Sequence, residues 1–439
     1  MPAAEQPEQF RQCADESFEA SGVIGSEKIK CYLMFFRSWV YRRRMRLRKQ
    51  FDYARKVFPS ATWRAFTPQA RGPLHLILAM ADHFEPSIVP GHGQERAPRP
   101  EQERRLECWM REYPKVIDRF RDHDGRPFVH TYFYPAEQYD EGLLEMLADH
   151  CHAGWGEVEV HLHHGMSGPD TAENTRRELT EFRDRLAWRH RCLAVEDGSS
   201  TPRYAFVHGN FALANSAEGR FCGVDSEMQI LAETGCYADL TMPSGFWHPA
   251  QTEKINSVYE CALPLNQIAA HRQGTDLAVG NAPHIFPLMI QGPLLTDLKR
   301  SLHSVRPVLD NGALTAANPP SMHRFSLWKQ AQVRVQGRPD WLFIKLHCHS
   351  MDPTQNDAVI GDSFHKLLTA LVAGAAERQE TLHFVTAREM TNILLAACDG
   401  REGNPGHYRD YRLKRMADAH LSAEKSNSFA EGVLGRSQL

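Results

Sequence analysis

The sequence has no Cys-x-x-Cys pair, no long uncharged apolar run and no excess of either charge. Each absence excludes something. Ten singly scattered cysteines rule out a zinc ribbon or thioredoxin motif and fit a reducing compartment. No apolar run approaches the ~18 residues that span a bilayer. Met1 to Phe18 is polar and acidic, without the apolar core of a secretory signal, so a cytoplasmic protein is expected. With 51 basic and 54 acidic residues the formal net charge is -3, and no nucleic-acid partner is expected.

Two things are abundant. There are 23 histidines, several of them adjacent, which points to metal or acid–base chemistry. Residues 28–49 carry nine basic side chains and no acid, interleaved with aromatic and aliphatic residues. That pattern predicts a basic amphipathic helix, with peripheral contact to an anionic membrane as one reading and docking on protein as the other. The chain divides into an expected disordered start (1–25), the basic helical segment (26–70), a main domain (71–399) with an insertion at 292–340, and a polar tail (400–439).

Within the main domain, short apolar runs read as buried strands: 74–80, 128–133, 158–162, 204–207, 237–241, 342–346, 382–385 and, more weakly, 276–279. Helical periodicity separates several of them, at 101–121, 140–150, 171–189 and 225–234. The alternation predicts an α/β fold with parallel strands joined by right-handed crossovers. Seven or eight such units favour a (β/α) barrel.

Most of these strands end in polar groups. The first gives Asp82-His83-Phe84-Glu85, the third His161-Leu162-His163-His164, the fourth His208-Gly209-Asn210, the fifth Asp239 and a late one His347-Cys348-His349. Strand carboxyl ends converge on one face of a barrel, so these residues are expected to meet. Residues two apart in a strand share a side, which lets His161 and His163 hold one divalent ion, with His164 as the alternative if the strand ends early. Imidazoles with a carboxylate suit zinc or a similar ion. Asp82, His83 or Glu85 would supply the remaining ligand and a base. His347 reads as a general acid, with His349 beside it as acid, substrate contact or support. His208, Asn210 and Asp239 are candidate substrate-binding residues. The aromatic run Tyr132-Phe133-Tyr134 reads as core.

The order of these motifs resembles the polysaccharide deacetylase superfamily, the NodB-like carbohydrate esterases. Asp82-His83 stands where that family carries an Asp-Asp pair. His161 to His164 stands at its His-x-x-x-His motif, His208-Gly209-Asn210 and Asp239 at its third and fourth, and Leu346-His347 at its late Leu-x-Leu-His. The resemblance implies a distorted (β/α) barrel and one zinc-like ion held by an aspartate and two histidines. It also implies hydrolysis of an acyl group, N-acetyl above all, from a sugar or polysaccharide, with a link to exopolysaccharide metabolism. In this scheme Asp82 or Glu85 is the base and His347 the acid. Two other readings stand beside it: a glycoside hydrolase on a related barrel, and a non-catalytic carbohydrate-binding or scaffold protein at the inner membrane surface.

Overall fold

A computed structural model describes residues 55–63, 66, 73–92, 95–245, 248–304 and 307–418. The expected disordered start, the basic stretch 28–49 and residues 419–439 lie outside them. In chain order the strands are β1 (Leu74–His83), β2 (His130–Pro135), β3 (Gly156–Leu162), β4 (Ala194–Glu196), β5 (Tyr204–His208), β6 (Cys236–Asp239) and β7 (Val258–Cys261). They continue with β8 (Gly274–Asp276), β9 (Leu288–Ile290), β10 (Leu295–Thr296), β11 (Leu309–Asp310), β12 (Trp341–Cys348), β13 (Glu380–Val385) and β14 (Leu413–Arg415).

Ten of these form one mostly parallel sheet in the order β12-β1-β2-β3-β5-β6-β9-β7-β8, with β13 also paired to β1. The lower half of β1 pairs with β13 and its upper end with β2. The expected strands are present, but β7 and β9 join them. Near the weak eighth strand expected at 276–279 lies β8 at Gly274–Asp276, overlapping it only at Asp276, and it is antiparallel to β7, not parallel. Val258 to Cys261 is too short and mixed to announce itself, and its pairing with β9 is set by contacts distant in sequence.

Parallel strands covered on both sides explain the near-continuous apolar runs. Along β1, Leu74, Leu76, Leu78 and Met80 enter one core with the helices Arg99–Ile117 and Glu141–His150, while Ile77, Ala79 and Ala81 enter a second. On β12, Leu342, Ile344 and Leu346 share the first core and Trp341 and Phe343 the second. Burying each such large side chain contributes roughly 1.5–3 kcal/mol. A one-residue slip would exchange the two sets, so the register of Ala81 beside His347 is strongly fixed.

Helix starts are locally encoded. Asp140 and Thr171 each accept a backbone N–H of the first turn, and Thr386 with Glu389 forms a reciprocal capping box. No described helix is long and apolar enough to cross a membrane.

The 292–340 insertion carries the β10–β11 pair and the helix Met322–Gln330. It seals one side of β12: the Leu314 N–H donates to His347 O (2.9 Å) and the His347 N–H to Gly312 O (3.2 Å). Residues 401–418 also differ from the expected tail. β14 pairs with β4, and Arg409 is buried against Asp122 (2.7 Å) and Asp124 (3.0 Å). Within 401–418 the polar composition that suggested fraying includes a buried, partnered Arg409.

Candidate metal centre

Strand alternation decides which of the strand-end residues meet. On β1, His83 follows Ile77, Ala79 and Ala81 onto the second-core side; on β3, His161 points the same way; on β12, His347 follows Trp341 and Phe343. Their rings gather. The His83 ring lies 5.0 Å from that of His161, 6.2 Å from that of His347 and 4.7 Å from that of His349, and the His161 and His163 rings are 4.5 Å apart. Glu85, two residues beyond His83, reaches the same point. Its Oε1 lies 3.1 Å from His161 Nε2 and 3.5 Å from His163 Nε2. His83, Glu85 and His161 each place one donor atom within 4.8 Å of the others.

The far nitrogens are tied back. His161 Nδ1 lies 2.7 Å from the Val207 carbonyl, which can only accept, so this nitrogen carries the hydrogen. His163 Nδ1 lies 2.8 Å from Glu137 Oε1, and the His163 N–H donates to Glu137 Oε2. Both rings therefore turn Nε2 toward Glu85, and acceptor would face acceptor there unless positive charge lies between them. Two protons or one divalent ion supply it. Histidines oriented through Nδ1 by a carbonyl or carboxylate are the usual support of a metal ligand.

The electrostatics agree. Burial alone would raise the Glu85 carboxyl, but the His161 hydrogen bond and the neighbouring His349 and His163 hold it down to about 2. Burial, then His349, His161 and His347, push the His83 imidazole well below its ordinary value and keep it neutral. His83, Glu85, Glu137, His163, His349 and Asn210 line an open cleft of about 550 Å³.

Several expected members lie elsewhere. Asp82 follows Met80 onto the opposite face of β1. It is fully buried, 3.0 Å from His130 Nδ1, and accepts the N–H (2.9 Å) and hydroxyl of Ser350. It is thus not placed as ligand or base of the cleft centre; it fixes the turn that carries His349. His164 also lies away from the cleft centre, toward His208 (Nε2 to Nε2, 3.0 Å), because alternation past Val158, Val160 and Leu162 puts it on the first-core side. His208 touches the cleft but directs Nε2 into this second cluster.

Asp239 is buried with its carboxylate held by Thr241, and burial raises it to about 7. Nearby Lys345, lowered to about 7 by burial, donates to Leu240 O. Asn210 sits exposed at the cleft rim. His347 is buried behind His83, its Nδ1 without a hydrogen-bond partner among the described residues. Burial, with Lys345 and His349 beside it, keeps its ring neutral. The cleft-facing member of the late pair is His349.

Glu137, Cys222 and Glu227 escaped the sequence reading. Glu137 follows β2 directly, at the same carboxyl edge as the other strand-end groups, and that position was its one signal. Cys222 and Glu227 lie in a loop and a short helix with no spacing that marks them. No protein-family model matches the chain, and no curated protein matches it.

Proposed function

We propose that the chain is a divalent-metal-dependent hydrolase that removes an acyl group, N-acetyl in the first instance, from a sugar, and that its sheet is the distorted (β/α) barrel of the polysaccharide deacetylases. The observation that carries this reading is Glu85 Oε1 facing two Nδ1-anchored imidazoles, the buried His161 and the cleft-lining His163, at an open cleft. His161, His163, His83 and Glu85 would hold the ion. When bound, such an ion polarises an acyl oxygen and makes water acidic enough to attack near neutral pH.

The chain supplies the rest. Glu85 uses Oε1 toward the imidazoles, which leaves Oε2 to accept the water's proton. His349, on the cleft wall, would give a proton to the departing amine. An amide nitrogen leaves poorly unless protonated, so this donor is required. Asp82 acts at one remove, holding Ser350 and so the turn behind His349. The cleft is wide enough for a sugar unit, and its polar lining of Gln138, Asn210, Asp352 and Arg96 suits hydroxyl-rich ligands.

The test is metal quantification on chelator-free protein, followed by an acetate-release screen over acetylated glycans. Wild type is expected to release acetate, and His161→Ala to lose metal from the cleft together with activity. Sugar cleavage without metal would favour the glycosidase reading, and undiminished acetate release by metal-free protein would reject the scheme.

A further inference from the structure

Behind the cleft wall lies a second group of donors. His164, His208, Cys222 and Glu227 are each at most 4% exposed. His164 Nε2 is 3.0 Å from His208 Nε2 and 3.0 Å from Glu227 Oε1, and His208 Nε2 is 3.4 Å from the same oxygen. Cys222 Sγ lies 3.4 Å from Glu227 Oε2, and all four residues place a donor atom within 4.8 Å of one another. Both far nitrogens face acceptors: His164 Nδ1 meets Asp170 Oδ2 at 2.8 Å, and His208 Nδ1 meets the Gly209 carbonyl. With hydrogens on both Nδ1 atoms, three lone-pair atoms converge on one small space. One proton on His164 Nε2 serves a single partner at a time and leaves His208 facing the carboxylate. A cation serves all of them.

We propose that His164, His208, Cys222 and Glu227 form a second, closed metal centre that takes zinc in a structural role, clipping residues 209–226 to the ends of β3 and β5. Two nitrogen or oxygen ligands at ~2.0–2.1 Å on a tetrahedral zinc stand about 3.4 Å apart, close to the spacing found here. Thiolate and carboxylate balance the ion's charge, as burial demands. Four protein donors leave no open position, which distinguishes this centre from the cleft.

The segment it would clip needs holding. Asn210, Phe211, Ala214, Asn215, Glu218 and Phe221 all have positive φ, between 49° and 60°. Such backbone persists only where its surroundings over-determine it. Gly165, beside His164, is in contact with the Cys222 backbone, where any Cβ would overlap it, so the approach of the two loops is built in. Asn210 and Phe211 also line the cleft, so this centre shapes the substrate wall.

The two centres differ in that this one alone holds a thiolate. Chelator-stripped full chain is titrated with cobalt(II). A thiolate-to-cobalt charge-transfer band is expected in wild type and in His161→Ala, and should vanish in Cys222→Ser. Zinc-loaded His161→Ala should show a sulfur neighbour at about 2.3 Å by X-ray absorption; this second measurement decides the matter if Cys222→Ser does not fold. Absence of the band in wild type, its survival in Cys222→Ser, or a zinc shell without sulfur would each overturn the proposal. Loss of acetate release with the band intact strikes only the cleft reading.

Discussion

Glu137 shows how much a single side chain behind a ligand decides. Its carboxylate takes both the Nδ1 and the backbone N–H of His163, fixing the ring with Nε2 toward Glu85. Removing such support typically costs 10–100-fold in metal affinity, so Glu137→Gln should weaken cleft metal binding by about that factor, read by competition with a chelating dye. Glu85 carries a pH signature. Its folded value of about 2 lies below the ordinary 4.5, so it stabilises the native state above about pH 4.5, and that contribution fades as pH falls toward 2. In chelator-treated protein the melting temperature should fall over that window, and Glu85→Gln should flatten the slope. The histidine-rich strand ends were legible because histidines two apart in a strand share a side. The role of Asp82 was not. Its neighbour His83 occupies the cleft, and strict alternation sends Asp82 to the other face, whatever its chemistry.

Among elements, the strand-to-loop junctions matter most. β5 ends at His208, and Gly209 packs against the His163 ring, where an added Cβ would overlap the imidazole. Gly209→Ala should therefore displace His163 and reduce metal affinity at the cleft. The change is expected with far-ultraviolet circular dichroism unchanged, since β5 itself is untouched. The helices that start after Asp140 and Thr171 were readable, because caps and periodicity are local signals, whereas the helix after Thr386 was not read. β7 and β9 were not. Three- and four-residue strands carry little pattern, and β9 is a strand because β6 lies on one side of it and β7 on the other.

At the largest scale, residues 401–418 are tied back onto the rest of the domain. Arg409 joins Asp122, Asp124 and Glu389, linking the C-terminal segment to β13 and the loop before β2. Arg388 does the same with Glu157 (2.7 Å) and Asp410. Breaking a buried ion pair from one side typically costs 3–5 kcal/mol. Arg409→Ala should lower unfolding free energy by about that amount in urea titration, and truncation after Gly400 should destabilise the fold more, because Leu413 and Met416 leave the core as well. A segment read as a polar tail is thus part of the domain. Charged composition marks exposure only until the partners are known, and two of them, Asp122 and Asp124, sit 287 and 285 residues away.

By itself the sequence determined the α/β class, seven strands of the parallel sheet and the presence of imidazoles at several of their carboxyl ends. These follow from period-two and period-3.6 patterning, which is local. Only the tertiary structure decided how those imidazoles divide: His83, His161, His163 and His349 to the cleft with Glu85, and His164 and His208 to a buried group with Cys222 and Glu227. Alternation along each strand sets which residues share a side; which side opens on the cleft, and that Glu85 joins one group while Cys222 and Glu227 join the other, is fixed by packing between segments far apart in the sequence.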